Sequence, residues 1–226
     1  MHDIITKIVR APQELVDKFA AVEESASIYE VMKKNALPGR IKPIWPGTRM
    51  CGTALTVYSR PGDNLMVYKA LDMLQPGDVL VVSYDGYTGC GGLWGGMMST
   101  SAKAKGAAGF VTDGAVRDSM LIKELDFPVF CAGRNVQTTT KSLPGKINHP
   151  IIIGDVVIHP GDIVYGDNDA VIIIPKEIAE EVYIEVVKRE ERESLLAKRI
   201  MAGEGTAYHL MGFDKAFQKL NLGVEE

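Results

Sequence analysis

Gly95-Gly96-Met97-Met98 and Arg117-Asp118 are the residues of this 226-residue chain whose types and spacing point most directly to chemistry. The first four open an expected helix, so their backbone N–H groups can face an anion. The Arg117 guanidinium can grip a planar carboxylate with two parallel hydrogen bonds, and the Asp118 carboxylate beside it can hold a hard cation. Such a set suits a 2-oxo acid, whose carboxylate is clamped while its keto oxygen reaches a metal. Spacing alone leaves a second reading open, an ordinary exposed ion pair after a turn.

The elements that must bring these groups together are a helix and a strand. The helix starts at the glycine pair, runs through Ser99 to Lys105 and stops at Gly106, a residue suited to a left-handed cap. Ala108 to Thr112 reads as a short apolar strand, and Asp113-Gly114 reads as the turn that delivers Arg117 and Asp118. Ten helical residues cover about 15 Å and five strand residues cover a similar distance in return. The helix start, the guanidinium and the carboxylate should therefore meet at one sheet edge.

The surrounding pattern supplies that sheet. Helices are expected over Pro12–Val22 and Ser25–Lys34, then a Pro- and Gly-broken loop to Gly47 and a strand over Gly52–Tyr58. Pro61-Gly62-Asp63 turns the chain and offers Asp63 as the cap of a helix over Asn64–Met73; Val79–Ser83 is a strand by its unbroken apolar run. A helix over Ser119–Leu125 and a strand at Pro128–Phe130 continue the alternation. Strand and helix in turn imply an α/β fold with a right-handed crossover unit and a parallel-sheet core. Tyr84–Gly86, Asp113–Asp118 and Ala132-Gly133 then fall along one edge, where ligands of open α/β sheets sit. Short β-segments between Ile151 and Pro175 suggest a second, meandering sheet, and Lys176–Ala202 a long C-terminal helix, longer than a small domain is wide at about 40 Å. Its charged middle, Lys188–Glu193, reads as a solvated face with local ion pairs, and part of its length as lying against another subunit. A short helix is expected around Asp214–Leu220. The whole is expected to be a single domain, with N-terminal helices and loop in 1–47, core in 48–175 and a helical arm in 176–226.

Composition narrows the function classes. With 46% hydrophobic residues the chain can bury a substantial core, and a net charge of −4 offers no basic stripe for nucleic acid. Cys51, Cys90 and Cys131 are odd in number and widely spaced, which favours reduced thiols over disulfides or a zinc site. His2, His149, His159 and His209 are scattered and read as turn or surface residues. No leader or membrane span is visible in the sequence, so a cytoplasmic location and no membrane partner are expected.

The sequence resembles the family of the regulator of ribonuclease activity A, and within it the 4-hydroxy-4-methyl-2-oxoglutarate / 4-carboxy-4-hydroxy-2-oxoadipate aldolases. The resemblance spans about residues 20–205. It rests on Gly52-Thr53-Ala54 with Thr56-Val57, Pro61-Gly62-Asp63-Asn64, Gly77 to Val82, Trp94-Gly95-Gly96, Asp113 to Asp118, Pro160-Gly161-Asp162 and Gly166-Asp167. It implies a swivelling β/β/α fold, assembled as a trimer or a dimer of trimers with active sites at subunit interfaces. It also implies a class II pyruvate aldolase that needs a divalent ion, Mg²⁺ or Mn²⁺, and that can decarboxylate oxaloacetate.

By the same resemblance Asp118 is the direct metal ligand and Arg117 the clamp on substrate carboxylate and enolate, with Gly95, Gly96, Met97 and Met98 at the carboxylate. A family motif of Gly or Asp, twenty residues, then Arg-Asp is met by Gly96, residues 97–116 and Arg117-Asp118. Glu30 and Glu193 resemble acidic groups contributed by a neighbouring subunit, with Glu190 or Glu191 as alternatives to Glu193. Two departures stand out. Gly96 replaces an Asp of the better studied aldolases, and Leu121 stands where a further acidic residue is asked for, Glu124 being the nearest acid.

The reaction so implied is cleavage of the C–C bond adjacent to a 2-oxo acid with release of pyruvate, the metal and Arg117 facing the developing enolate. The alternative is a non-catalytic member that binds and inhibits a ribonuclease. A quinone methyltransferase, a name attached to some such sequences, is disfavoured because no glycine-rich cofactor loop follows a first strand.

Overall fold

The structure is a computed structural model and describes residues 3–220, which leaves His2 outside the described residues. The chain divides into two compact units, Met1–Tyr183 and Ile184–Glu226. In the first, α1 (Gln13–Ala20) and α2 (Ser25–Met32) precede β1 (Lys42–Pro43), β2 (Met50–Tyr58), α3 (Leu65–Met73) and β3 (Asp78–Ser83). Then come β4 (Gly92–Trp94), α4 (Gly96–Ala104), β5 (Gly109–Val116), α5 (Ser119–Glu124) and β6 (Val129–Arg134). β7 (Lys146–Ile147), β8 (Ile151–Ile153), β9 (Val156–Ile158), β10 (Ile163–Gly166) and β11 (Val171–Ile174) complete the strands. α6 (Ala179–Met201) leads into the second unit, which also holds α7 (Ala207–Leu210) and α8 (Phe213–Gln218).

Nine strands form one mixed sheet in the order β1-β6-β5-β3-β2-β10-β11, with β4 added to β5 and β7 to β2. β2, β3, β5 and β6 run parallel, so their carboxyl ends share an edge as the alternation of strand and helix requires. Alternate side chains divide between two faces. Leu55, Val57, Leu80, Val82 and Phe110 join Val67 and Ala70 of α3, Met98 and Ala102 of α4 and Ile122 of α5 in one core. Ala54, Val79, Val81, Val111 and Phe130 pack instead with Ile151, Ile153, Val156 and Ile158 of the β8–β9 hairpin. The expected α/β class, parallel core, small second sheet and C-terminal helix are all present.

Two expectations are corrected. The second sheet is the β8–β9 hairpin alone; β10 and β11 belong to the main sheet, where β10 pairs antiparallel with β2. The physical signal is burial: every residue of β10 and β11 is buried, as strands covered on both faces must be, whereas β8 and β9 alternate buried and exposed. Asp113-Gly114 is likewise not a turn. β5 continues through both residues to Val116, with its register against β6 shifting between Thr112 and Ala115. That irregularity is held from the side: Asp113 accepts hydrogen bonds from the Tyr84 and Gly86 amides at 2.6 and 2.7 Å, and a Cβ on Gly114 would collide with Leu93 and Tyr84. Burial pushes the Asp113 carboxyl above its usual range despite these two donors.

In the second unit the charged part of α6 carries ion pairs one turn apart, Lys188–Glu185 at 2.7 Å and Arg189–Glu193 at 2.5 Å. Tyr208 of α7 meets Phe217 of α8 edge to face. Among the described residues no helix is long and apolar enough to cross a membrane.

Candidate active site

The start of α4 is anchored by Trp94. Its ring stacks on Phe110 with centroids 4.0 Å apart, and its Nε1 donates to Ser99 Oγ at 2.7 Å, which ties the first turn of the helix to the core. Gly95 stands at the helix cap because nothing larger fits: a Cβ there would fall 2.6 Å from Asp118 Oδ2 and 3.2 Å from Arg117 Cγ. The other side of the site comes from the end of β5. The Arg117 amide donates to Trp94 O at 2.9 Å, and Asp118 adopts a left-handed conformation (φ 57°) before α5 begins. Asp tolerates that region better than most residues, at a strain of order 1 kcal/mol.

The result is the expected convergence. A cleft of about 110 Å³ is lined by Gly95, Met97, Met98, Arg117 and Asp118, together with Asn64, Tyr68, Gly92, Leu93, Trp94, Thr138, Thr139 and Lys141. Arg117 and Asp118 are not an ordinary tight pair: Nε and Oδ2 stand 3.8 Å apart, beyond hydrogen-bond length. Asp118 Oδ2 instead accepts the Gly96 amide at 3.0 Å. Among the described residues the Arg117 guanidinium donates no hydrogen bond, Asp118 Oδ1 accepts none, and the Met97 and Met98 amides have no acceptor. A guanidinium, two helix-start amides and a carboxylate oxygen thus stand at one cleft without hydrogen-bond partners among the described residues.

Gly96 and Leu121 prove to be one feature. A Cβ on Gly96 would overlap Leu121 Cδ2 and lie 3.1 Å from its Cγ, so the leucine occupies the room a side chain at position 96 would need. Gly96 itself gives its amide to Asp118 and is not in the cleft lining. Glu30, on α2, pairs with Lys33 and does not line the cleft either; Glu193 lies in the second unit, paired with Arg189.

The donor set bears on which metal could sit here. No group of three or more His, Cys, Asp or Glu side chains able to hold a metal occurs among the described residues. One half-exposed carboxylate with an oxygen to offer fits a hard cation that keeps most of its waters, such as Mg²⁺ or Mn²⁺, rather than zinc.

Sequence reasoning missed the opposite wall. Asn64 caps the start of α3 and Tyr68 lies within it, and Thr138, Thr139 and Lys141 come from the loop after β6. Buried Asp63 joins the two: Oδ1 accepts the Leu65 amide at 2.8 Å, and Oδ2 accepts the Ser142 amide at 2.6 Å, the Leu143 amide at 3.1 Å and Thr140 Oγ1 at 2.7 Å. Burial opposes ionisation of Asp63, but these donors outweigh it and hold the carboxyl below its usual range. The available signal was the polar run Gln137–Lys141 directly after a strand of the parallel core.

A profile of RraA-like proteins, described as Aldolase/RraA, matches residues 15–173. A protein of Halalkalibacterium halodurans named "Putative 4-hydroxy-4-methyl-2-oxoglutarate aldolase" is 40% identical over 170 residues, covering 74% of this chain and 80% of that protein. Among solved structures, an uncharacterized protein from Pseudomonas syringae pv. tomato superposes with a TM-score of 0.79 at 29% identity, covering 88% of this chain and 93% of the other. Streptomyces coelicolor RraAS2, described as an unusual member of the RNase ES inhibitor RraA protein family, does so with a TM-score of 0.76 at 28% identity, covering 84% and 100%.

Proposed function

The chain belongs to the RraA-like (Aldolase/RraA) family, and on that premise we propose that it is a divalent-metal-dependent lyase that cleaves a 2-oxo acid and releases pyruvate, as an aldolase, an oxaloacetate decarboxylase or both. The observation that carries this reading is the cluster of uncommitted groups at one cleft: the Arg117 guanidinium, the Met97 and Met98 amides and Asp118 Oδ1. The amides, the positive end of α4 and the Arg117 guanidinium receive the substrate carboxylate. Arg117 sets a fixed positive charge against the keto oxygen, which becomes negative as the adjacent C–C bond breaks. Asp118 would hold the ion, its orientation fixed by the Gly96 amide on its other oxygen. Mg²⁺ or Mn²⁺ held there would supply a Lewis acid.

The site is proposed to be completed in a trimer or hexamer, with Glu30 and Glu193 facing the cleft of a neighbouring subunit. Met97 and Met120, 74% and 71% exposed beside Gly96 and Leu121, are apolar surface that a second copy would cover. The competing reading is a regulator that binds a ribonuclease, favoured by the RraAS2 likeness and by the apolar Gly96–Leu121 contact where further acids would serve catalysis. It predicts stable association with such an enzyme and no turnover.

Pyruvate release from oxaloacetate and from 4-hydroxy-2-oxo acids, measured with Mg²⁺ or Mn²⁺ and then with chelator, separates the two. Turnover that stops with chelator is expected. No turnover of any substrate overturns the lyase, and turnover indifferent to chelator overturns its metal dependence.

A further inference from the structure

A second cavity, of about 220 Å³ against 110 Å³ for the first, lies at the end of β2 and shares no lining residue with the cleft at Arg117. Its walls are Asp3, Tyr58, Arg60, Pro144, Gly145 and Lys146. The pairing of β7 with β2 builds it. Lys146 stands directly opposite Tyr58 in that antiparallel ladder, so the two side chains share a face. Arg60 follows Tyr58 by two residues, which returns it to the same side. Gly145 permits the close approach of the two segments, because a Cβ there would overlap Tyr58 O. The Asp3 carbonyl closes the far side by accepting the Ile147 amide at 3.0 Å.

Arg60 and Lys146 are both exposed, and among the described residues neither side chain makes a hydrogen bond or an ion pair. The carboxylates around them are otherwise disposed. Asp85 accepts the Tyr58 hydroxyl at 3.1 Å, and Asp3 lines the cavity without pairing with either cation. Burial and Asp85 hold the Tyr58 phenol above its usual range while the Arg60 charge opposes them, so the guanidinium lies close enough to be felt at that ring. Two like charges fixed on one face of a strand pair repel each other unless a counter-charge comes between them. The guanidinium fork matches a planar carboxylate or a phosphate, and the ammonium adds a point charge. Tyr58 and Pro144 flank them with apolar surface for a short carbon skeleton. We infer that this cavity is an anion site separate from the Arg117 cleft, and that it takes a small organic dianion, a dicarboxylate or a phosphate monoester, between Arg60 and Lys146. The Asp3 carboxylate on its wall weighs against ligands of higher charge.

The test uses the Arg117→Ala protein without added metal, so that the first cleft does not compete. Succinate and glycerol 3-phosphate are titrated into it by calorimetry at low salt, where exposed charges are least screened. At least one should bind with a dissociation constant of about 1 mM or below. Succinate alone identifies a carboxylate ligand, glycerol 3-phosphate alone a phosphate ester, and both together a site that reads charge and size. Arg60→Gln and Lys146→Gln, added singly, should each weaken binding about tenfold, as loss of a charged hydrogen bond implies. Lys123→Gln removes the same charge from α5, outside the cavity, and should leave binding unchanged. Binding of neither probe overturns the assignment. So does binding that survives both glutamine substitutions, or that falls as far with Lys123→Gln, since the general field of the protein would then be responsible. Failure of either glutamine variant to fold overturns it too, because the cation would then be committed to the chain. None of these results bears on the lyase reading, which rests on Arg117 and Asp118.

Discussion

Arg10–Asp78 and Arg117–Asp118 use the same two residue types for opposite ends. Asp78 is fully buried at the start of β3 and fully partnered: Arg10 grips it with two bonds of 2.7 and 2.8 Å, and Thr53 Oγ1 and the Gln75 amide complete its acceptors at 3.0 and 2.9 Å. Asp118 is half-exposed, stands 3.8 Å from its arginine and has one oxygen tied to a single amide. The first pair closes a fold by joining residues 68 apart in sequence. The second leaves its hydrogen-bonding capacity unmet, which adds little to stability but makes a ligand welcome. What separates a structural ion pair from a binding site here is the number of partners already supplied by the chain.

That contrast can be broken at either end. The largest effect is expected from Asp118→Ala, which should lower metal-dependent pyruvate release by about a thousandfold, as loss of several kcal/mol of charge stabilisation implies. Its melting temperature should stay close to that of the wild-type protein; a large drop would mean that Asp118 holds the fold as Asp78 does. Asp78→Ala should behave in the reverse sense. Breaking a buried pair costs about 3 kcal/mol, taken at the low end because Arg10 keeps some solvent, so chemical denaturation should show a loss of that order while the KM of the folded protein is preserved. Arg117→Ala comes next. A charged bidentate contact is worth a few kcal/mol, so activity should fall on the order of a hundredfold with stability unchanged, and near-normal rates would remove the clamp from the mechanism.

The smallest effect concerns pH and sharpens the comparison on the missed wall of the cleft. Asp63 and Asp167 have carboxyls held below the ordinary 3.8: burial opposes ionisation in both, but donors led by the Ser142 and Leu65 amides and by the Ser25 amide respectively prevail. Their contribution to stability is therefore complete above 3.8 and is lost as pH falls through the lower folded-state values. Asp113 and Asp162, whose carboxyls burial raises, act in the other direction, contributing below 3.8 and losing that contribution as pH rises through their folded-state values. Wild-type protein shows only the difference. Asp63→Asn isolates one side of it, and its denaturation midpoint should decline less steeply below about pH 4 than that of the wild type. An unchanged slope would mean that the Asp63 clamp is not ionic.

Much of this was legible along the chain because it is local. The glycine pair at the start of α4, the strand that returns to Arg117 and the alternation of elements in the parallel core depend on spacing and turn chemistry within some twenty residues. The failures share a cause. Asp113-Gly114 has turn composition but is strand, because Tyr84, Gly86 and Leu93 from other segments hold it there. β10 and β11 look like members of a meander until their burial on both faces places them in the main sheet, β10 beside β2 and β11 beside β10. Asn64 shows no role along the chain, since its lack of a donor exists only once Leu93 has taken its Nδ2.

By itself, then, the sequence determined the class of fold, the helix start and the nearness of Arg117 and Asp118 to it, because backbone propensity and periodic burial act over short distances. It could not say which of the two arginine–aspartate pairs is committed and which is open, why Gly96 and Leu121 go together, or which wall faces the clamp. Those depend on hydrogen bonds and contacts between segments many residues apart, such as the 79 between Asp63 and Ser142, and such contacts are decided only when the tertiary structure brings the segments together.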